Sequence, residues 1–383
     1  MDVVVPFVDL AASNGAVRER VLQRIAETMD RGDFTNGQAV AAFERVFASR
    51  LGRRHCVAVS SGLDALRLSF LASVLAPGAG VIVPAMTFAA TFEAVVQAGG
   101  APVVVDVGED DDNLDVAETE RVASSQGVTH LLPVHLYGQM ADMRRLSRVA
   151  KLQGLQIVED ACQALGAGRD GLTAGSLGHA AAFSFYPTKN LGAMGDAGAL
   201  VTDDDELAER ALALRVHGET RKYHHEYVGY TARLDTIQAV VLLEKLPLVD
   251  EWNRQRQAAA EFYADALAGL EDAGLRVPRH LSTDSVWHLY VVRTPNADGL
   301  ASFLADRGIQ TGRHYPEPPH LTPAFRNLGF GPGDFPRAEA LAREGLSLPL
   351  YPGISEAQLE RVCDAVRSYV GVSERRRAAG DIG

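Results

Sequence analysis

Short apolar runs alternate with helix-like segments between residues 81 and 216, and this alternation constrains the fold more than any other feature of the chain. The apolar runs are VIVP (81–84), PVVVD (102–106), HLLPV (130–134), LQIVED (155–160), AAAFSF (180–185) and GALVT (198–202). Helix-like segments lie between most of them, at 87–98, 115–126, 141–153 and 204–216. Because parallel strands need crossover connections, we expect an α/β fold with a mostly parallel central sheet, whose ligands bind beyond the carboxyl ends of the strands.

Length and composition favour two domains. The chain has 383 residues, of which 47% are hydrophobic and 22% are charged, as in a globular protein with a large core. We place a large domain with N-terminal helices at residues 1–247 and a smaller C-terminal α+β domain at 248–383. In the smaller domain, the run VWHLYVVR alternates as a strand does, and ISEAQLERVCDAVRSYV has the periodicity of a closing helix.

The charge and cysteine content exclude several classes of partner. The formal net charge of −12 argues against nucleic acid and against anionic membranes as partners. No run of about 18 apolar residues predicts a membrane span. The N-terminus lacks the basic start of a signal peptide. The three cysteines show no metal-ligand spacing, so we expect a cytoplasmic protein. The acidic stretch at 106–112 lacks the pattern of a calcium loop; we interpret it as a solvated connection and expect no metal site.

One lysine stands out in the segment FSFYPTKNLGAMGDAGAL (183–200). An apolar strand delivers Lys189 to a turn, and the glycines that follow allow the backbone to pack closely around it. A lysine so placed is partly desolvated, which disfavours the ammonium and lowers its pKa. The plain alternative is a surface lysine in a loop after a strand. The neighbouring residues favour a lysine that acts as a nucleophile or forms a Schiff base.

Two further features indicate a cofactor. Asp160 ends an apolar run, so it and Lys189 both follow strand ends. Upstream, a strand at 56–59 runs through a small-residue turn at 60–62 into a helix, whose free N-terminal amides can bind an anion. A cofactor with a pyridine ring needs a carboxylate at its ring nitrogen. The combination predicts pyridoxal 5'-phosphate, with Phe88 either stacked on the ring or part of the core.

Nine segments of the chain resemble, in order and spacing, the DegT/DnrJ type of pyridoxal-phosphate-dependent sugar aminotransferases. They are FTNGQAVAAFE, VSSGLDAL, PAMTFAAT, HLYGQMADM, VEDACQALGA, GSLGHAAAFSFYPTKNLGAMGDAGA, GYTARLDTIQAVVL, HYPEPPHL and LSLPLYP. The resemblance covers residues 6 to 370, and its central motif, around Lys189, is specific. It implies a fold type I transferase that forms homodimers, with active sites that include residues of both subunits.

The resemblance also implies a role for each residue of the site. Lys189 would form the Schiff base and move the proton, and Asp160 would pair with the pyridine nitrogen. Gln163 would contact the hydroxyl side of the ring, and Phe88 would stack on it. The remaining cofactor contacts would all be to the phosphate, namely Ser184, Gly62, Leu63 and, across the dimer, Thr231.

Two positions depart from the family pattern. Leu63 stands where the family usually has threonine, so a hydroxyl contact to the phosphate is lost. Thr231 stands where the family usually has asparagine, and its shorter hydroxyl can still donate a hydrogen bond. Relatives that act as dehydratases have histidine in place of the lysine, so the presence of Lys189 favours amino transfer over dehydration.

The predicted activity is transfer of an amino group from an amino acid, L-glutamate in the family, to the keto group of a nucleotide-linked deoxy sugar. Such enzymes serve amino-sugar, antibiotic or glycan biosynthesis. The segments RKYHH and WNRQR resemble members that aminate 3-keto sugars linked to thymidine or uridine diphosphate. The cations and aromatic residues at 217–235 could bind a pyrophosphate. Candidate substrate contacts are Tyr186, Tyr223, His314 and Tyr315.

Two alternatives remain open. An aminotransferase of the same fold could act on a cyclitol or another small ketone, which would not need the cations at 217–225. A protein could also bind the cofactor for regulation, without turnover. Lys189, Asp160 and Gln163 together argue against the second alternative, because binding alone needs no electron sink with a proton shuttle.

Overall fold

A seven-stranded sheet forms the centre of the protein, and smaller strand pairs surround it. The structure is a computed structural model that describes residues 4–378. In chain order the strands are β1 (His55–Val59), β2 (Gly80–Pro84), β3 (Ala101–Val105), β4 (Val128–Leu131), β5 (Gln156–Asp160), β6 (Gly168–Arg169), β7 (Leu172–Thr173), β8 (Ala180–Ser184), β9 (Gly198–Thr202), β10 (Glu219–Arg221), β11 (His224–His225), β12 (Tyr290–Arg293) and β13 (Gly345–Leu348).

The large sheet is mostly parallel. Its strand order is β1-β9-β8-β5-β4-β2-β3. The strands from β8 to β3 are parallel to one another, and β9 is antiparallel to both β8 and β1. Each of the apolar runs between residues 81 and 216 contributes a strand to it, and GALVT is β9 in full. The predicted α/β class with a mostly parallel central sheet is therefore confirmed.

Helices connect these strands. They are α1 (Leu10–Gly15), α2 (Arg18–Arg31), α3 (Gln38–Arg50), α4 (Gly62–Ala72), α5 (Ala89–Gln97), α6 (Val116–Ala123), α7 (Met143–Gln153), α8 (Asp205–Leu214), α9 (Thr236–Lys245), α10 (Val249–Ala266), α11 (Ala297–Ala305), α12 (Pro336–Glu344) and α13 (Glu356–Ala378). Short 3-10 helices span Leu136–Gly138, Leu246–Leu248, Pro319–Leu321 and Pro323–Leu328. None of the helices within residues 4–378 combines the length and the apolar character needed to cross a bilayer.

Helices cover both faces of the large sheet. Phe183 of β8 belongs to one apolar cluster with Phe47 of α3, whereas the adjacent Ala182 belongs to another with Phe70 of α4. Successive residues of a strand point to opposite faces, so neighbours in β8 enter different layers of the core. Burial on both faces explains why these strands are continuous apolar runs in the sequence.

A third apolar cluster lies in the C-terminal part of the chain. It gathers Tyr263 of α10, Leu300 of α11, Leu348 of β13 and Val366 of α13. The antiparallel pair of β12 and β13 runs through it. This part of the chain therefore has apolar packing of its own beside the large sheet.

The run VWHLYVVR is a strand only in its second half, β12. Trp287 has a φ angle of 43°, which a strand does not accommodate. The amides of Val286 and Leu289 instead donate to the carbonyls of Gly138 and Tyr137, at 2.9 and 3.2 Å. The apolar alternation predicted a longer strand, but contacts with this distant loop take over the backbone hydrogen bonds of the first half.

The prediction of a solvated acidic connection at 106–112 is wrong for Asp106. Its side chain is buried, with 3% of the residue exposed. The carboxylate accepts hydrogen bonds from the amides of Ala338 and Arg337 at the N-terminus of α12, at 2.9 and 3.0 Å. It also accepts one from the Val107 amide at 2.9 Å. Asp106 thus joins the end of β3 to a helix that lies far away in the sequence.

Candidate active site

The loop after β8 carries Lys189 next to the carboxyl end of the parallel strands. The Lys189 amide donates to the Tyr186 carbonyl at 2.8 Å, which closes a tight turn. Gly192 belongs to the same loop, and a Cβ there would lie 2.2 Å from the carbonyl oxygen of Pro187. Only glycine fits this position, so the glycine-rich sequence after the lysine is a packing requirement.

Asn190 ties this loop to the C-terminal part of the chain. Its Nδ2 donates to Oδ1 of Asn253 in α10 at 2.8 Å and to the carbonyl of Val286 at 2.9 Å. The Nδ2 of Asn253 donates in turn to the carbonyl of Leu165 at 3.0 Å. These buried amide hydrogen bonds fix the position of the residue that follows Lys189.

A cavity of about 420 Å³ opens beside the lysine side chain. It is lined by every site residue predicted from the sequence except Tyr223 and Thr231, namely Gly62, Leu63, Phe88, Asp160, Gln163, Ser184, Tyr186, Lys189, His314 and Tyr315. Further lining residues are Thr91, Cys162 and His288. Strand ends and helix starts thus bring together side chains that are far apart in the sequence, as expected of an α/β sheet.

Asp160 is held by two donors. Its Oδ2 accepts from Oγ1 of Thr91 at 2.9 Å, and its Oδ1 accepts from the Cys162 amide at 3.2 Å. Thr87 donates to Thr91 at 2.7 Å and so completes a short chain of hydroxyls. A carboxylate has about four acceptor positions, so these contacts orient Asp160 and leave capacity for a further donor.

Gln163 and two aromatic rings form another wall of the cavity. Gln163 Oε1 accepts from the Tyr137 amide at 2.7 Å, and its Nε2 donates to the Tyr315 hydroxyl at 3.1 Å. The rings of Phe88 and Tyr315 lie 5.3 Å apart. Burial raises the pKa of Tyr315, so its hydroxyl keeps its proton.

The surroundings of Lys189 favour a neutral amine. Burial lowers the pKa of Lys189 below its ordinary value, and the nearby Cys162 and Asp160 offset only part of this effect. A desolvated lysine with a lowered pKa is suited to nucleophilic attack and to proton transfer. The lysine predicted from the sequence to be desolvated is therefore desolvated in the fold.

The N-terminus of α4 lines the cavity through Gly62 and Leu63. Ser61 caps this helix by accepting from the Asp64 amide at 3.0 Å. A Cβ at Gly62 would lie 2.8 Å from Cβ of Ser184. The site therefore presents bare backbone at a helix N-terminus, where unpaired amides and the helix dipole attract a phosphate.

These residues fit pyridoxal 5'-phosphate. The helix N-terminus matches its phosphate, the carboxylate of Asp160 matches its pyridine nitrogen, and the amine of Lys189 matches its aldehyde. Leu63 offers no hydroxyl, so that position can contribute only its backbone. No group of three or more His, Cys, Asp or Glu side chains within residues 4–378 is arranged to hold a metal ion.

Tyr223 and Thr231 lie outside the cavity in the single chain. Tyr223 is 83% exposed, on the hairpin formed by β10 and β11. Thr231 Oγ1 lies 3.2 Å from Nε2 of His217. Their predicted contacts with substrate and cofactor therefore need a second subunit and stay a prediction.

His288 is a cavity residue that the sequence analysis missed. Its Nε2 lies 3.5 Å from Nζ of Lys189, and 7% of the residue is exposed. The one signal in the sequence was a histidine inside the otherwise apolar and aromatic run VWHLYVV. That signal gives no partner, because Lys189 and His288 meet only in the folded chain.

Comparisons in sequence agree with this geometry. A model of the DegT/DnrJ/EryC1/StrS aminotransferase family matches residues 16–367. A dTDP-3-amino-3,4,6-trideoxy-alpha-D-glucose transaminase of Streptomyces venezuelae is 46% identical over 365 residues, covering 95% of this chain and 96% of that protein. The erythromycin biosynthesis sensory transduction protein EryC1 of Saccharopolyspora erythraea is 44% identical, covering 95% of this chain and 99% of that protein.

Solved structures give the same picture. The chain is similar to S. venezuelae DesV, solved in complex with a ketimine intermediate, with a TM-score of 0.93 and 45% identity over 96% of this chain and 98% of that one. It is also similar to NtdA of Bacillus subtilis, solved with bound cofactor PMP. There the TM-score is 0.88 and the identity is 33%, over 96% of this chain and 85% of that one.

Proposed function

Because the chain belongs to the DegT/DnrJ/EryC1/StrS aminotransferase family, we propose that it moves an amino group from L-glutamate to the keto group of a nucleotide-linked deoxy sugar. Its cofactor is pyridoxal 5'-phosphate. The observation that carries the proposal is the cavity in which the half-buried Lys189 and the oriented Asp160 meet. The S. venezuelae relative is named as a transaminase of a dTDP-linked sugar with nitrogen at carbon 3, which supports a substrate of that kind. The name of the S. erythraea relative supports a role in antibiotic biosynthesis.

The chain's own residues would hold the cofactor at both ends. Asp160 would bind the pyridine nitrogen, with Thr91 and the Cys162 amide keeping its carboxylate in place. The α4 amides at Gly62 and Leu63, with Ser184, would hold the phosphate. Gln163 would contact the ring hydroxyl, and Phe88 would cover a ring face. When bound, the cofactor supplies an electron sink for the electron pair released as a C–H bond next to nitrogen breaks.

Lys189 would carry the proton. With the donor's amino group in its place on the cofactor, the free amine of Lys189 would remove the proton from the α-carbon of glutamate and would deliver it to the carbon that carried the cofactor's aldehyde. Burial lowers the pKa of Lys189, which increases the unprotonated fraction of the amine that can accept that proton. The second half-reaction runs the same proton transfers in reverse on the keto sugar, with Tyr186, His314 and Tyr315 as proposed substrate contacts.

We also propose that the protein is a cytoplasmic homodimer with shared active sites. Within residues 4–378, the lining of the cavity contains Lys189 and no arginine, so a pyrophosphate would need cations from elsewhere. Phe88 at the cavity is 54% exposed, a free apolar face that a second subunit would cover. The exposed hairpin with Tyr223 would supply its contacts across the interface. The separate apolar cluster of the C-terminal part supports the proposed division into domains 1–247 and 248–383.

An absorbance experiment tests the proposed function. The purified protein with pyridoxal phosphate should show the band of a cofactor joined to a lysine, and L-glutamate should bleach that band. A dTDP-linked 3-keto deoxy sugar should restore it and gain an amino group, seen by mass spectrometry. Lys189→Ala should abolish both steps, because no amine remains to form the bond or move the proton. Lys151→Ala, at an exposed lysine of α7, is the matched control and should behave as wild type.

The same experiment separates the alternatives. Amination of a cyclitol or of another small ketone, but not of the dTDP-linked sugar, would identify an aminotransferase with a different substrate. A band that no amino donor bleaches would indicate a regulatory protein. The name of the S. erythraea relative, a sensory transduction protein, is the reason to test this alternative.

A further inference from the structure

His288 lies beside Nζ of Lys189, and the proposed function assigns it no role. Its Nε2 lies 3.5 Å from Nζ of Lys189, and its ring lines the cavity. Hydrogen bonds at active sites commonly tighten when substrate binds, so this distance is compatible with a working contact. The ring is therefore placed to act on the protonation of the lysine.

The segment that carries His288 is fixed from two sides. The Leu289 amide donates to the Tyr137 carbonyl at 3.2 Å, and the His288 carbonyl accepts from Nη1 of Arg256 at 3.3 Å. A Cβ at Gly138 would lie 2.6 Å from the His288 amide nitrogen, so the two backbones are in close contact. These contacts fix the backbone from which the ring extends toward Lys189.

The ring is a neutral imidazole. Burial lowers the pKa of His288 well below its ordinary value, and the positive charges of Lys189, Arg256 and His314 lower it further. These titratable groups act on the ring from the lysine loop, from α10 and from the loop that carries His314. A neutral imidazole carries one N–H and one lone pair, so its two nitrogens have opposite roles.

The surroundings of the second ring nitrogen, Nδ1, indicate whether the nitrogen facing Lys189 is a donor or an acceptor. Nδ1 of His288 is buried and has no hydrogen-bond partner within the described part of the chain. A buried N–H without a partner is rarer than a buried acceptor without one. This comparison favours the tautomer with the proton on Nε2, which lies 3.5 Å from Nζ of Lys189 and could donate to the lone pair of a neutral amine.

We propose that His288 is a positioning residue that keeps the free amine of Lys189 neutral by donating a hydrogen bond from Nε2 to Nζ. The proposal rests on the proposed function, in which Lys189 takes a proton from carbon. The hydrogen bond from His288 opposes the effect of Cys162 and Asp160, which favour the ammonium form of Lys189. Once Nζ carries the proton, two N–H groups face each other, so the contact favours release of that proton. The ring itself neither gains nor loses a proton.

Two substitutions distinguish hydrogen-bond donation by His288 from simple shielding of the Lys189 amine from water. His288→Leu removes the donor and keeps the site apolar, whereas the amide of His288→Gln can place a donor near Nε2. The pH dependence of Lys189 acetylation by trace acetic anhydride, read by peptide mass spectrometry on the cofactor-free full chain, reports protonation of the amine. We expect the midpoint to rise by about one pH unit in His288→Leu and to stay near wild type in His288→Gln. His280→Ala, at an exposed histidine whose ring lies tilted against Trp287, is the control.

The loaded enzyme gives a second measurement. In His288→Leu we expect kcat to fall about tenfold, with the acid limb of its pH profile moved upward, KM for the keto sugar unchanged and partial rescue in His288→Gln. A labelling midpoint that is unchanged or lower in His288→Leu would overturn the proposal, and so would equal losses in the two variants. If the wild type transfers no amino group, the proposed function fails, while the labelling still decides the role of His288.

Discussion

Glu159 is fully buried one residue before Asp160, and the groups around it keep it ionised. Burial alone would raise the pKa of Glu159, but hydrogen bonds from His135 and from the amides of Gly178 and Gly175 bring that pKa below its ordinary value. The Nδ1 of His135 accepts from the Ala141 amide at 3.3 Å, so its Nε2–H points at Glu159, 3.0 Å away. This pair fixes the end of β5, which carries Asp160, the carboxylate proposed to bind the cofactor.

Replacing Glu159 by glutamine should destabilise the protein in a pH-dependent way. The glutamine NH2 would face backbone donors, so we expect a loss of about 3 kcal/mol in the free energy of unfolding at pH 7. Because the folded pKa is lowered, the stabilisation by Glu159 is present above the unfolded value of 4.5 and is lost as the pH falls through the folded value. Urea unfolding at several pH values measures the difference between variant and wild type.

The control for this experiment is Glu120→Gln, at an exposed position of α6. It should leave the unfolding midpoint close to that of wild type at every pH. A penalty for Glu159→Gln that stayed constant below pH 4.5 would contradict the assignment of an ionised Glu159.

Individual residues of the site were predictable where a motif places them beside a strand end. The family and the cofactor are confirmed, and the structure brings Lys189, Asp160 and Gln163 to one cavity, where their individual roles stay predictions. His288 and Thr91 were not predictable. A hydrogen bond between side chains nearly a hundred residues apart depends on how the C-terminal part packs, which no local pattern encodes.

Helix α12 is the element that depends most on a distant cap. Asp106 accepts from two amides of its first turn, and Arg337 of the same turn forms an ion pair with Asp106 at 3.5 Å. A carboxylate at this end of a helix satisfies free amides and complements the helix dipole. The cap also fastens the helix to the large sheet.

Asp106→Ala should loosen this attachment. We expect a loss of about 1–2 kcal/mol in the free energy of unfolding, the usual effect of removing an N-terminal cap. Urea denaturation followed by circular dichroism measures it. Asp110→Ala removes a largely exposed carboxylate of the same acidic stretch and should have little effect. Equal losses in both variants would mean that the overall charge of the stretch, and not the cap, stabilises the fold.

At the level of elements, alternating apolar runs predicted the large sheet well because its strands are buried on both faces. The same reasoning overextended β12, since residues 286–289 have the pattern of a strand but pair with the loop at 137–138. Local periodicity indicates which residues are buried. It does not indicate which backbone carbonyls accept hydrogen bonds from the amides of those residues.

The proposed shared active site makes a prediction for the whole molecule. Lys189→Ala should be inactive, and a variant with both Tyr223→Ala and Thr231→Ala should be strongly impaired if these residues act across the interface. Mixing the two proteins after mild dissociation should restore about a quarter of wild-type activity. Half of the random dimers are then mixed, and each mixed dimer has one intact site.

A mixture that stays as inactive as its components, while mass analysis shows that subunits have exchanged, would mean that each site is built from one chain. Sedimentation of each variant alone provides the control, since both should form the dimer proposed for the wild type. Restoration requires two chains per site and cannot arise from a monomer.

The hydrogen bonds from Asn190 to Asn253 and to the Val286 carbonyl, here called the joint, have a consequence for how genes of this kind can recombine. The joint connects residues on both sides of residue 247, the proposed domain boundary. Without it, relatives could exchange their segments at that boundary. A chimaera that takes its C-terminal part from another parent retains the joint only if both parents have asparagine at the two positions. Shuffling, in nature or in the laboratory, is therefore expected to pass on the lysine loop and the 253–288 region as one inherited unit.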